Sequence, residues 1–327
     1  MGDNKQPLVS IVTPSYNQGQ FIEETIRSVL LQNYPNIEYI IVDGGSTDNS
    51  LDIIKKYASR LAWFVSEKDS GQAQAINKGF QQAKGKYVAW LNSDDIYLQG
   101  AITKAVTVLE KNRNLGLVYA NTLSIDAETH VFNLMHFQDW KLPDLMKFRI
   151  ISQPAVFMRM VALEKTGFLD DQFSFLMDHH LWTRIAIDYP IQFVDDFWAG
   201  ARFHTDAKNI SQAVGFGEEA GTVLAWMQND PRLREYFDRY RKEILAGYCL
   251  FDARYLLDGE EYGRALRQYM QSMRHHLPTA FQEIRRILYA VVGMVFPMKS
   301  IREKFIQNRS KKIHSQQFEP LLQYIKK

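Results

Sequence analysis

Residues 8–30 read LVSIVTPSYNQGQFIEETIRSVL. The run 8–13 is apolar and β-branched apart from Ser10, and Pro14 is expected to end it. Gln18 and Gly19 then lead into a segment where Phe21, Ile22, Thr25, Ile26, Val29 and Leu30 recur at three- and four-residue steps, the period of a helix lying on a core. A strand, a polar turn and an amphipathic helix make one βα unit. The same alternation predicts strands at 37–42, 61–65 and 87–91 and helices at 51–57 and 72–83, so that the chain to about residue 116 reads as α/β around a parallel sheet. The unbroken apolar run 37–42 is of the kind buried on both faces.

Each predicted strand runs into a polar cluster: PSYN at 14–17, DGGSTD at 43–48, DSGQAQ at 69–74 and NSDD at 92–95. Ligands of open α/β sheets bind outside the carboxyl ends of the strands, so carboxylates, amides and hydroxyls line one sheet edge as a site. Asp94 and Asp95 are adjacent like charges, and oxygen-seeking Mg²⁺ or Mn²⁺ is the chemistry that reconciles them.

The chain has 327 residues, 46% hydrophobic and 23% charged, enough for a large core and unlike a disordered segment. Its 39 basic and 37 acidic side chains give a net charge of +2, which offers no whole-protein field for nucleic acid. The single cysteine, Cys249, excludes an internal disulfide framework and suits a reducing compartment; with no signal-peptide pattern at the N-terminus, the expected location is the cytoplasm.

Beyond the first half, a hairpin is expected across 122–137, a strand at 155–158, helices at 161–165 and 178–187, and a strand at 191–195. Past Gly217 the pattern is helical throughout. The expected division is therefore 1–217, with halves 1–116 and 117–217, followed by a helical region 218–327. Within that region ILYAVVGMVFPM at 287–298 is too short to span a bilayer, for which about 20 apolar residues are needed. Arg285, Arg286, Lys299, Arg302 and Lys304 flank it, so two readings stand: a buried helix, or peripheral contact with inner-membrane lipid at the cytoplasmic face.

Taken together, VSIVTPSYNQGQFIEETIRSVLLQ, IIVDGGSTDNS, DSGQAQAINKGF and YVAWLNSDD resemble the nucleotide-sugar half of family-two glycosyltransferases. SQPAVFMRMVALEKTGFLDDQF, MDHHLWTRIA and ARFHTDAKNIS resemble the acceptor side, which extends the resemblance to about residue 212. It implies a GT-A type, Rossmann-like mixed and mostly parallel sheet flanked by helices, with a helical C-terminal extension. It also implies an inverting, metal-dependent transferase moving a sugar from a nucleotide-diphosphate donor, UDP-linked by family habit, to a hydroxyl of a glycan or lipid-linked glycan in cell-surface polysaccharide synthesis.

Residue by residue, the resemblance implies that Thr13, Pro14 and Tyr16 wrap the nucleoside and that Asp43 reads the base. Asp69, Gln72 and Asn77, with Lys68, pass the diphosphate and donor sugar. Asn92 stands where the family has a first carboxylate, and with Ser93 it meets the nucleotide. Asp94, Asp95 and His204 form the metal set, Arg202 and Ser211 brace the diphosphate, Gln153 and Pro154 lie toward the acceptor, and Asp178 is the base that deprotonates the acceptor hydroxyl. Bland readings stand beside these: a turn for Asp43, core packing for Tyr16, helix caps for Asp95 and Asp178. Adjacent His179 and His180 point apart on a helix and do not make a metal pair.

Asn92, Met177 and His180 depart from acidic positions of the family, so a non-catalytic nucleotide-sugar-binding scaffold is the alternative. A nucleotidyltransferase would want a basic Gly-rich phosphate loop, and VTPSYNQGQ has no Lys or Arg. No G-x-G-x-x-G follows the first strand, which sets aside a dinucleotide oxidoreductase.

Overall fold

The computed structural model describes residues 6–204, 212–294 and 322. One nine-stranded mixed sheet organises it, in the order β3-β2-β1-β4-β8-β6-β9-β5 with β7 paired to β6. The strands are β1 (Val9–Ser15), β2 (Ile37–Asp43), β3 (Trp63–Ser66), β4 (Tyr87–Trp90), β5 (Ile96–Tyr97), β6 (Leu117–Ile125), β7 (Val131–Met135), β8 (Val156–Arg159) and β9 (Ile191–Arg202). β1 to β4 are parallel, antiparallel pairing enters with β8, and the long β6–β9 pairing is parallel again, so most of the paired length is parallel.

Helices α1 (Ile22–Leu30), α2 (Ser50–Lys56) and α4 (Ala101–Lys111) cover one face of the sheet. The other face takes α3 (Gln72–Gln82), α5 (Leu142–Met146), α6 (Met160–Thr166) and α7 (Met177–Asp188). Strand residues alternate between the two cores: Ile40 and Val42 go to one, Tyr39 and Ile41 to the other, and Val88 and Trp90 oppose Tyr87 and Ala89 in the same way. Both faces being dry is why these strands read as continuous apolar runs. Gly79 of α3 lies so close to β1 that a Cβ there would stand 2.3 Å from a Val12 methyl.

Pro14 does not end the first strand, contrary to expectation. Val12 accepts from Leu91 N–H on the β4 side and Ser15 from Gly44 N–H on the β2 side, so alternation turns Pro14's missing donor toward β4. The β1–β4 pairing has already stopped at Val12, and at such an edge proline costs no ladder hydrogen bond.

The C-terminal helices are α8 (Ala213–Asn229), α9 (Arg234–Arg239), α10 (Arg241–Asp258), α11 (Tyr262–His275), α12 (Leu277–Phe281) and α13 (Ile284–Gly293). α8 runs through the expected 217/218 boundary, and its Ala220, Val223 and Met227 share a core with Trp182 of α7 and Trp90 of β4. Ile287 and Ala290 of the apolar segment pack on α10 and α11, whereas Leu288, Val291 and Met294 are exposed. Residues 295–298, Lys299, Arg302, Lys304 and Ser211 lie outside the described residues. Among the described residues no helix is long and apolar enough to cross a membrane.

Candidate active site

The strand ends open into a cavity of about 2110 Å³, roughly twice the upper end of ordinary small-ligand pockets and large enough for two substrates. One wall is the sheet edge. The first two βα loops are laced together there: Asn17 N–H donates to Ser46 Oγ at 2.8 Å, Gly19 N–H to Asp48 at 2.9 Å, and Thr47 N–H to the Asn17 amide oxygen at 2.8 Å. This lacing holds Pro14 and Tyr16 at the rim, and Tyr16, 60% exposed, lines the cavity instead of packing in the core. Lys68, Asp69 and Gln72 face the same space.

Two expected nucleotide contacts stand behind that wall. Thr13 is fully buried in β1 with its hydroxyl 3.0 Å from Tyr39 OH. Asp43 is also fully buried, and its carboxylate accepts from Ser46 Oγ, Ser46 N–H, Gly45 N–H and Ser66 Oγ, which is the turn-shaping role. Asn77 likewise ties α3 to Leu169 through both backbone groups and does not reach the cavity.

The turn 92–95 joins β4 to β5, and β5 pairs antiparallel with the far end of β9. That pairing brings residues over a hundred positions apart together. Arg202 N–H donates to Asp95 Oδ1 at 2.9 Å, and Asn92 Nδ2 donates to Asp95 Oδ2 at 3.2 Å while accepting from Gln72 Nε2 at 2.8 Å. Asp95 is 5% exposed with both oxygens engaged, and the next helix, α4, is capped at Gly100. It therefore locks the turn while also lining the cavity, and it does not cap the helix. Burial, and then the Asp94 charge beside it, hold the Asp95 carboxyl well above the usual carboxylate range.

Asp94 is the outward partner. Its Oδ2 lies 3.1 Å from His204 Nε2, and both residues line the cavity. A carboxylate oxygen and an imidazole nitrogen converging on a wall, beside a second carboxylate that repels the first, fit a divalent cation that completes its shell with water and phosphate oxygens. Asp126, Glu128 and His130, whose ligand atoms lie within 4.8 Å of one another, form another carboxylate–imidazole group at the β6–β7 turn. There Asp126 already accepts from the Glu128 and His130 N–H groups, as a turn residue does.

Arg202 lines the cavity with its side chain already engaged. Its guanidinium is spent on Asp94 O, Asp126 O, Ala127 O, Thr129 Oγ1 and Glu24 Oε2, all within 3.1 Å, so it clamps the 92–95 turn to α1 and to the β6–β7 turn. Nothing in the motif ARFHTD marks that role, because its partners are far away in sequence.

Asp178, in the first turn of α7, also lines the cavity. Its side chain caps no helix; it accepts from the neighbouring His179 N–H at 2.6 Å. Burial first, with a contribution from Glu219, pushes its pKa up to about 7, against the pull of backbone N–H groups. Glu219 of α8 accepts from Ser174, Phe175 and Leu176 N–H at 2.6 to 2.8 Å and so fixes the loop that delivers Asp178. Burial also lowers the pKa of both following histidines, His179 to about 4 and His180 to about 3, and their rings pack on Phe148 and Trp226 as neutral core groups.

Sequence reasoning missed the helical wall. Phe251, Arg254, Tyr255 and Asp258 of α10 line the cavity, together with Phe216 of α8. Their spacing of i, i+3, i+4 and i+7 is a helix face, a signal present in the sequence but lacking the apolar stripe that would have drawn notice. Gln153 donates to Trp90 O at 2.7 Å and, with Pro154, lines the cavity.

The family model described as Glycosyl transferase family 2 matches residues 10–166. An uncharacterized glycosyltransferase of Rickettsia typhi is 30% identical over 222 residues, covering 65% of this chain and 69% of that protein. The putative teichuronic acid biosynthesis glycosyltransferase TuaG of Bacillus subtilis is 45% identical over 104 residues, 31% of this chain and 41% of its own length. Among solved structures, S. aureus TarS 1-349 in complex with UDP-GlcNAc superposes with a TM-score of 0.55 at 16% identity, over 85% of this chain and 92% of that one. The mannosyltransferase PcManGT from Pyrobaculum calidifontis, in complex with GDP-Man and Mn²⁺, gives 0.61 at 18% identity over 95% and 86%. At these identities the structural likeness speaks for the fold.

Proposed function

Because the chain belongs to glycosyl transferase family 2, we propose that it is an inverting, metal-dependent transferase that moves a sugar from a UDP-sugar to a hydroxyl of a cell-envelope glycan or lipid-linked glycan. The observation that carries this reading is that Asp94 with His204, and Asp178, open into one cavity. Asp94 and His204 would hold Mn²⁺ or Mg²⁺, which supplies Lewis acidity for the departing diphosphate. The Mn²⁺ complex of the structural neighbour and the UDP-GlcNAc complex of the other are in keeping with this choice. Pro14 and Tyr16 would flank the nucleoside, with Lys68, Asp69, Gln72, Asn92 and Ser93 along the donor.

Asp178 would take the proton from the attacking hydroxyl, and a carboxylate held near neutrality by burial is suited to general-base work. One base and direct attack imply inversion. Isothermal titration with UDP and with GDP, with and without Mn²⁺, followed by a nucleotide-sugar panel read as released nucleotide, checks the reading. Metal-dependent UDP binding and turnover are expected; binding without turnover for any donor and acceptor would favour the scaffold.

The reading extends to where the acceptor is met. Leu277, Phe281, Ile284, Leu288 and Val291 form an exposed apolar stripe along α12 and α13, bordered by exposed Arg274 and Arg285. An apolar face with basic neighbours suits peripheral contact with anionic lipid on the cytoplasmic side. Co-sedimentation with phosphatidylglycerol-containing vesicles is expected, together with its loss on replacing Phe281 and Leu288 by Ser. Equal sedimentation of that variant would remove this part of the reading.

A further inference from the structure

The helical wall of the cavity holds a cluster that the transfer reaction above does not use. Arg149 in the loop after α5, Arg254 of α10 and Arg286 of α13 all line the cavity. Glu283 accepts from Arg254 Nη2 at 2.7 Å and pairs with Arg286 Nε at 3.0 Å; Arg149 donates to the Gln282 side chain. Asp258, one turn on from Arg254, is the other carboxylate of this wall, and Asp144 lies behind Arg149. Three guanidiniums thus share a wall with two carboxylates.

An interhelix brace would need only the Arg254–Glu283 pair. The structure does more than that. Arg254 Nε is buried and has no hydrogen-bond partner, so the pair with Glu283 leaves one guanidinium donor unmet. Arg149 is disfavoured as a cation by burial and then by Arg254 beside it. It follows Phe148, a bulky buried residue held at φ 57°, in the left-handed region, by packing on His179 and Phe251. Strain of that kind persists where the surroundings impose it, and here it sets the course of the chain into Arg149.

The cluster is on the acceptor side. Tyr255 adjoins Arg254 on α10, stacks on Phe216 at 4.3 Å and feels the Asp178 charge. Asp94 and His204 lie on the strand-end wall, so the donor diphosphate and these arginines are served separately.

We propose that Arg149, Arg254 and Arg286 form an anion subsite for a phosphate ester carried by the acceptor, next to the hydroxyl that Asp178 would deprotonate. The planar guanidinium fork matches phosphate oxygens in pairs. The assignment to the acceptor rests on the transferase reading above; the anion subsite itself does not.

The test uses the full chain and two probes, glycerol 1-phosphate in solution and dodecyl phosphate in neutral detergent micelles, by isothermal titration in saturating UDP and Mn²⁺. Saturable binding of a phosphate ester, absent for glycerol, is expected. Arg149→Gln and Arg286→Gln should each weaken it about tenfold or more, with Lys at either position restoring part of it, and Asp94→Ala should leave it intact. Arg286 is exposed, so its replacement is compatible with an unchanged fold, checked by the thermal midpoint. Binding of both probes assigns the phosphate itself, and binding of the micellar probe alone assigns a lipid phosphate. Binding untouched by the Arg variants, abolished by Asp94→Ala, or absent at millimolar probe overturns the subsite. Failure of UDP to bind while the phosphate ester still does would sink the donor reading and leave this one standing.

Discussion

Asp94→Ala is expected to lower transfer by a factor on the order of 10²–10³ or more, the scale on which loss of one preorganised electrostatic group shows in rate. Both adjacent carboxylates line the cavity, but Asp94 pairs with the His204 imidazole while Asp95 is committed to Arg202 and Asn92. Removing Asp94 should therefore abolish the Mn²⁺-dependent increment in UDP affinity with little change in the thermal midpoint. Asp95→Ala should behave differently, lowering the midpoint first because it releases Arg202 and leaves Asn92 unpaired. The check is paired calorimetry and melting on both variants. Undiminished Mn²⁺-dependent UDP binding by Asp94→Ala would refute the assignment, and identical behaviour of the two would refute the division of labour.

That division could not be seen in NSDD itself. The tetrad shows that carboxylates are wanted at a strand end, and Asn92 stands in it as a departure from an acidic position. In the structure Asn92 relays a hydrogen bond from Gln72 to Asp95, so an amide, which both accepts and donates, does what a carboxylate could not. What decided the roles was the β5–β9 pairing, and strand register between segments over a hundred residues apart is invisible to local pattern. Arg202 was misread for the same reason.

The alternation of strand and helix was legible because burial on both faces writes itself as apolar runs bounded by polar loops. Which strand-end residues face out was less so. Thr13 and Asp43 have polar side chains at the right height on the sheet, yet one side chain meets Tyr39 in the interior and the other folds back on its own loop. The helical wall was hidden differently. α10 is buried on most sides, with Ile244, Leu250, Ala253 and Leu257 packed away from the cavity, so its lining face does not stand out from an apolar stripe.

Activity is expected to rise with pH through about 7 and then level off, and the group responsible is Asp178. A general base works only when ionised. Burial, with some help from Glu219, raises the carboxyl from its usual acidic range, so below about 7 Asp178 is mostly protonated and kcat/KM should fall about tenfold per pH unit. Above that value the carboxylate is in place and the limb flattens. Asp178→Asn, nearly the same shape without a proton-accepting oxygen pair, should cost a factor on the order of 10²–10⁴ and erase the limb while leaving UDP affinity alone. Glu219→Gln separates a base from a merely structural acid: removing the neighbouring negative charge should move the limb to lower pH, even though the loop at 174–176 loses part of its anchoring. A profile flat through about pH 7 in the native enzyme, or transfer by Asp178→Asn at near-native rate, would mean that the proton goes elsewhere. Because the histidines beside it are held neutral in the core, no other titratable group of that helix turn could then take its place.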